Sequence, residues 1–219
     1  PLHAAVRWDA ITSIEKLIEL GININAQNSA GKSPLAEAVL SGKYEVSKYL
    51  LEHGADVNCS DRNGVTILMD TIRGKNGDLV KLLLDYGANP NLQEINGRNA
   101  YHEAAVTGDI SIITLIRDAG VNPLSRDKQG NTPLSIALKS DIKTIKAVLG
   151  KNYNITDSDG NSPIHIIVKS KCSPELLATL IEEGYPIDTR NADGYTPLNY
   201  AIEADNNPLA LILLEHGAN

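Results

Sequence analysis

Gly31-Lys32-Ser33-Pro34-Leu35, Gly130-Asn131-Thr132-Pro133-Leu134 and Gly194-Tyr195-Thr196-Pro197-Leu198 are three copies of one phrase, Gly-x-[Ser/Thr]-Pro-Leu. Gly160-Asn161-Ser162-Pro163-Ile164 is a close variant. Gly64-Val65-Thr66-Ile67-Leu68 and Gly97-Arg98-Asn99-Ala100-Tyr101 are degraded copies, and the chain opens inside another at Pro1-Leu2-His3. The Pro slot therefore falls at 1, 34, 67, 100, 133, 163 and 197, with steps of 33, 33, 33, 33, 30 and 34 residues. Self-similarity at such a period means stacked structural repeats rather than one globular core.

Each copy has a local physical reading. Ser or Thr before Pro is a helix N-cap, followed by a residue already held at helical φ and lacking an N–H that the first turn cannot use. Apolar residues then run for about two turns, as in Ala38-Val39 or Ala104-Ala105. A break follows at Asp9, Gly42, Gly108, Asp141 or Asp205, residue types that tolerate positive φ. A second apolar run comes next with the spacing of one helix face, for example Val46, Leu50 and Leu51, or Ile112, Ile113 and Ile116. In the last two units this run restarts at Ser173-Pro174 and Asn207-Pro208, read as N-cap and first helical residue. Gly21, Gly54, Gly87, Gly120, Gly184 and Gly217 close the second helices as C′ glycines. What remains, such as Ala55 through Gly64, is rich in turn formers and reads as a short extended hairpin.

Pro1-Leu2-His3-Ala4-Ala5, Leu50-Leu51-Glu52-His53-Gly54-Ala55-Asp56-Val57-Asn58 and the recurrent Asp-x-x-Gly-x-Thr-Pro-Leu resemble the ankyrin-repeat family. The resemblance covers the whole chain, 1–219, as one domain of seven units. It implies an all-α solenoid of stacked antiparallel helix pairs with projecting β-hairpin loops. It also implies protein binding on the concave face made by hairpin tips and first helices. Asp56-Val57-Asn58 resembles the setting in which a hairpin asparagine of the family is hydroxylated in animal cells, which carries over to Asn58 alone.

The fifth unit is three residues short, near Asp141 and between Tyr153 and Asp157, and the sixth gains one near Cys172-Ser173. These changes predict altered curvature between the two. The terminal second helices carry Ile11, Ile14, Leu17 and Ile18 at one end and Leu209, Ile212, Leu213 and Leu214 at the other. Repeat arrays need polar caps, so a segment of a longer array or protein is expected.

Composition agrees with thin layers. Of 219 residues, 42% are hydrophobic but only 4% aromatic, with no Phe, so small aliphatics must fill the interior. A net charge of −7 argues against nucleic acid or an anionic membrane as partner. No apolar run reaches the roughly 18 residues of a membrane span. Cys59 and Cys172 match no zinc or redox spacing and read as buried thiols in a reducing, cytoplasmic setting.

The candidate chemistry dissolves into the repeat frame. His3, His102 and His165 share one slot, where a hydrogen bond within and between repeats is the expected role, and a catalytic base would need an orienting partner and a nucleophile. His53 and His216 end second helices, where they suit the helix dipole. Asp61, Asp127 and Asp157 recur at one hairpin position, with Asn28, Glu94 and Asn191 in the same slot elsewhere, as turn-forming side chains do. No calcium-loop or phosphate-loop spacing occurs. The expectation is a chain without catalytic residues, cofactor or metal, acting as a monomeric protein-binding module. The alternative is a targeting or regulatory domain of a larger enzyme, ligase adaptor or secreted effector.

The frame does single out a partner-facing row six and seven residues after each Pro slot. Arg7, Arg73, Lys139 and Lys169 are its cations and Glu203 its one anion, while Trp8, Leu40 and Val106 are apolar. Val65, Arg98 and Tyr195 follow the hairpin glycines and add tip candidates. A mildly basic groove would receive an acidic or phosphorylated segment. The competing reading neutralises these cations at home, for instance by Asp70 three residues before Arg73. Trp8 is either a binding anchor or a cover for the N-terminal end.

Overall fold

The computed structural model describes Pro1–Asn219 throughout. It is all-helical, without a β-strand, and packs as two compact units, Pro1–Thr107 and Gly108–Asn219. The first holds α1 (Leu2–Arg7), α2 (Ile11–Glu19), α3 (Pro34–Leu40), α4 (Tyr44–Glu52), α5 (Ile67–Arg73), α6 (Gly77–Asp85) and α7 (Ala100–Thr107). Here α1 pairs with α2, α3 with α4 and α5 with α6, while α1, α3, α5 and α7 stack in succession. The second holds α8 (Ile110–Asp118), α9 (Pro133–Ala137), α10 (Ile142–Leu149), α11 (Pro163–Lys169), α12 (Pro174–Glu182), α13 (Pro197–Glu203) and α14 (Asn207–Glu215). The pairs α9 with α10, α11 with α12 and α13 with α14 stack through α9, α11 and α13.

The helix starts follow from capping. Ser33, Thr66, Thr132 and Thr196 each accept a hydrogen bond from the backbone N–H three residues on. A cap of this kind stabilises by about 1 kcal/mol. The degraded fourth copy keeps its helix because Asn99 Oδ1 accepts from both Tyr101 N and His102 N. The C′ glycines all take positive φ, between 76° at Gly21 and 98° at Gly184, which satisfies the last carbonyls of each second helix.

Two cap assignments shift. Asp141 keeps φ −81° and caps α10, accepting from Thr144 N at 2.8 Å, because the shortened fifth unit leaves no room for a left-handed break. α14 is capped by Asn206, not Asn207; its Oδ1 accepts from Leu209 N while Asp205 takes the positive φ. The loops also differ from extended hairpins. They are tight turns with a single isolated antiparallel bridge, Ser60 to Thr66. The reason is visible at Asp61: its Oδ1 accepts from Asn63 N and Val65 N, closing the turn before a ladder can grow.

Burial is layered by slot. Leu2, Leu35, Leu68 and Tyr101 occupy one slot and none exceeds 2% exposure; Val6, Val39 and Ile72 fill another. Truncating such a leucine to alanine costs about 2–5 kcal/mol. Tyr101 corrects the expectation that small aliphatics fill the interior: it replaces the slot's leucine and is fully buried. Tyr185 is buried too, and it belongs to the repair of the short fifth unit. Gly150 ends α10 at φ 59°, ψ −138°, and the Arg117 side chain lies where a Cβ at 150 would stand, 2.7 Å from its Cδ. Arg117 Nη1 donates to the Ala147 carbonyl, Tyr185 Oη donates to the Gly150 carbonyl, and the Tyr153 ring packs edge-on against Tyr185. Side chains thus fill the space of the missing loop.

Candidate functional site

The residue types that could do chemistry are engaged as struts. His165 Nδ1 lies 2.8 Å from Ser162 Oγ and its Nε2 lies 2.9 Å from the Tyr195 carbonyl oxygen, 30 residues away. That carbonyl requires the proton on Nε2, and the Ser162 backbone N–H donates to Nδ1 at 3.1 Å, so Nδ1 accepts and the ring is neutral. Burial pushes its pKa below the ordinary histidine value, more than the Tyr195 carbonyl restores. His3 reaches the Lys32 carbonyl in the same way, and His102 Nδ1 sits 2.7 Å from Asn99 Oδ1. His53 and His216 turn back onto the Tyr49 and Ile212 carbonyls at their helix ends.

The hairpin acids behave alike. Asp127 and Asp157 each accept from the backbone N–H two and four residues on. Burial alone would raise the Asp157 carboxyl, but hydrogen bonds from Asn161 and from Arg126 hold it below the usual carboxylate range. Asn58 is likewise committed: its Oδ1 accepts from Asn89 N in the next loop at 2.7 Å. Cys59 and Cys172 are free, half-buried thiols, with burial pushing Cys172 up to about 11. No three His, Cys, Asp or Glu side chains converge as a metal site would require.

The row at the ends of the first helices is different in character. In Pro1–Thr107, Trp8 is 82% exposed, Leu40 is 42% and Val106 59% exposed. The two arginines of this row are not free. Arg7 reaches across to Glu37 at 2.8 Å, and Arg73 binds both its own Asp70 at 3.1 Å and Glu103 of the following repeat at 2.9 Å. Arg98 stands 3.4 Å from the other Glu103 oxygen. The hydrogen bond to Glu103 holds the Arg73 guanidinium above its ordinary pKa. Both long pairs link residues 30 apart, a signal the repeat frame contains: the sixth residue after one Pro slot meets the third after the next. Only the pair within α5 was anticipated from the sequence.

In Gly108–Asn219 the exposed Lys139 makes no ion pair, and Lys169 Nζ sits 4.0 Å above the Tyr200 ring with no carboxylate beside it. Arg126 is held by Asp157 and Asp159, both at 2.6 Å. Tyr195 is half-buried; its Oη donates to Glu203 Oε1 at 2.7 Å, and that bond raises its pKa. Val65 is half-buried beside Leu40. Trp8, Leu40 and Lys139 are thus exposed, and Lys169 is exposed with its ammonium above the Tyr200 ring, while Arg7, Arg73, Arg98 and Tyr195 have carboxylate partners.

Known proteins resemble this one in repeat and in fold. The family described as Ankyrin repeats (3 copies) matches residues 2–94, 68–157 and 137–219. An ankyrin repeat protein of fowlpox virus is 31% identical over 94 residues, 40% of this chain and 28% of that protein. The phosphocholine transferase AnkX of Legionella pneumophila is 37% identical over 101 residues, 43% of this chain and 10% of the transferase. The chain thus spans less than a third of the length of either relative. Among solved structures, the ankyrin repeat domain of Bcl-3, a member of the IkappaB protein family, superposes with a TM-score of 0.75 at 24% identity over 98% of this chain and 97% of that one. That likeness shows the same fold, the all-helical solenoid. With the repeat matched from residue 2 to residue 219 and the helix pairs in place, the chain belongs to the ankyrin-repeat family.

Proposed function

We propose that residues 1–219 work as one monomeric, non-catalytic protein-binding domain, holding its partner on first-helix ends and hairpin tips. Ankyrin repeats are in general modules of protein–protein interaction. The observation that carries the reading here is the division of labour among side chains. Histidines, hairpin acids and caps are spent on backbone hydrogen bonds, whereas Trp8 and Leu40 in the first unit and Lys139 and Lys169 in the second are exposed. On the second unit the two lysines of successive repeats, neither in an ion pair, favour an acidic or phosphorylated segment of the partner. With −7 charges overall, nucleic acid and membrane are not the expected partners. No helix is long and apolar enough to cross a membrane, and a cytoplasmic setting is the one in which the free thiols persist.

The test compares partner recovery by three forms of the chain. Recovery should fall with Lys139→Glu and Lys169→Glu together, and with Trp8→Ala, yet survive Lys81→Ala on a second helix. Recovery indifferent to the row but sensitive to Lys81→Ala would move the site off this face. A second reading draws on the transferase match: the domain as the targeting or regulatory part of a larger enzyme, ligase adaptor or secreted effector. A catalytic or signal segment in the full-length protein decides for it.

A further inference from the structure

We infer that the first-helix row of Pro1–Thr107 is a docking strip for an uncharged, apolar segment of a partner protein, anchored in the notch between Leu40 and Val65. This rests on the protein-binding reading above and assigns this unit a chemistry opposite to that of the second.

The ionic groups of the row have already been spent. Third-position acids Glu37, Asp70 and Glu103 are matched by Arg7, Arg73 and Arg98. The cluster is packed tightly enough that Glu37 Oε2, Glu103 Oε1 and two Arg98 nitrogens are shut from solvent without a hydrogen bond. An acidic partner side chain that drew Arg7 or Arg73 out of these pairs would leave the largely buried Glu37 or Glu103 without its counterion, which is unfavourable. The row therefore offers a charged ligand little.

What it does offer is apolar and regularly placed. At the sixth position the four repeats read Arg7, Leu40, Arg73, Val106, so every second repeat puts an aliphatic side chain where its neighbours put a paired arginine. Leu40 is joined by Val65 from the next hairpin, and with Ala36 and Ile67 they line a notch of about 40 Å³ rimmed by Asp70. A small-molecule site usually needs roughly 300–1,000 Å³. A notch this size takes the end of one side chain. Leu40 and Val106 lie two repeats apart, roughly 20 Å at helix spacings of about 10 Å. An extended peptide covers that distance in about six residues. Trp8, one repeat before Leu40, lengthens the same strip.

The experiment pans a phage-displayed library of peptides about twelve residues long against the intact chain, then measures selected peptides by fluorescence anisotropy. Uncharged peptides rich in Leu, Ile, Phe or Trp are expected. Their affinity should change less than about twofold between about 50 and 500 mM NaCl, because screening touches only charge. It should drop about tenfold or more with Leu40→Asn or Val65→Ser, as for a buried anchor, and stay unchanged with Lys81→Ala on a second helix. Thermal melts confirm that the variants fold. A selection that yields only acidic peptides dependent on salt and on the two lysines, with none sensitive to Leu40 or Val65, would overturn this inference while leaving the protein-binding reading intact. Basic peptides, or apolar ones indifferent to Leu40 and Val65, would overturn it as well. Peptides that depend on neither unit's row would overturn both.

Discussion

His165 has a neutral ring built into its hydrogen-bond pattern. Nε2 gives its proton to the Tyr195 carbonyl, Nδ1 accepts from Ser162, and burial disfavours the imidazolium. Its folded pKa is thus below the unfolded value of about 6.5, so the unfolded state takes up protons first as pH falls. Stability should be flat above that unfolded value and decline as pH drops below it. Urea melts at pH 7.5 and 5.5 would show the decline. In His165→Gln, whose amide does not titrate, the difference between the two pH values should shrink; an unaltered difference would place the proton linkage elsewhere. The slot was legible in sequence because His3, His102 and His165 recur at one position. The tautomer was not, because the acceptor lies 30 residues away.

At the scale of elements, the helices were legible because Ser/Thr-Pro caps and C′ glycines are local chemistry. The features that escaped depend on neighbours: the Arg7–Glu37 and Arg73–Glu103 pairs, the buried ring of Tyr101, and the Arg117–Tyr185 repair around Gly150. For the same reason the sequence frames the candidate row as a set of positions but does not give its charge, since pairing decides which cations remain free. The loops make the point testable. Gly130 and Gly160 stand at equivalent hairpin positions with φ 80° and 77°. A Cβ at 130 meets nothing within 4 Å, whereas at 160 it lies 2.9 Å from Ala192 N, which donates to the Asp159 carbonyl. Gly130→Ala should therefore cost only the left-handed strain, about 1–2 kcal/mol. Gly160→Ala adds a clash with the next loop's backbone and should cost clearly more. Equal losses in chemical denaturation would mean that the contact relaxes freely.

Across the whole molecule, stability is expected to be a sum over helix pairs and the interfaces between neighbours. Leu68 lies in α5, between α3 and α7, while Leu198 lies in α13, which packs against α11 and α14. Leu68→Ala should fall toward the upper part of the roughly 2–5 kcal/mol range for such truncations, and Leu198→Ala toward the lower. The outer side of α13 and α14 tells the same story. Ile202 occupies the slot of Val6, Val39, Ile72 and Val168, all buried, yet is 61% exposed, and Leu214 is 52% exposed. These side chains contribute little to folding as the chain stands, so Ile202→Lys with Leu214→Lys should shift stability by no more than about 0.5 kcal/mol. Their effect should appear in association instead, because exposed apolar patches are where soluble chains stick to one another. If the domain works as a monomer, sedimentation equilibrium gives the monomer mass for both wild type and variant at all concentrations. A wild type that dimerises with rising concentration, alongside a variant that stays monomeric, would make this end face a self-association surface and end the monomer reading.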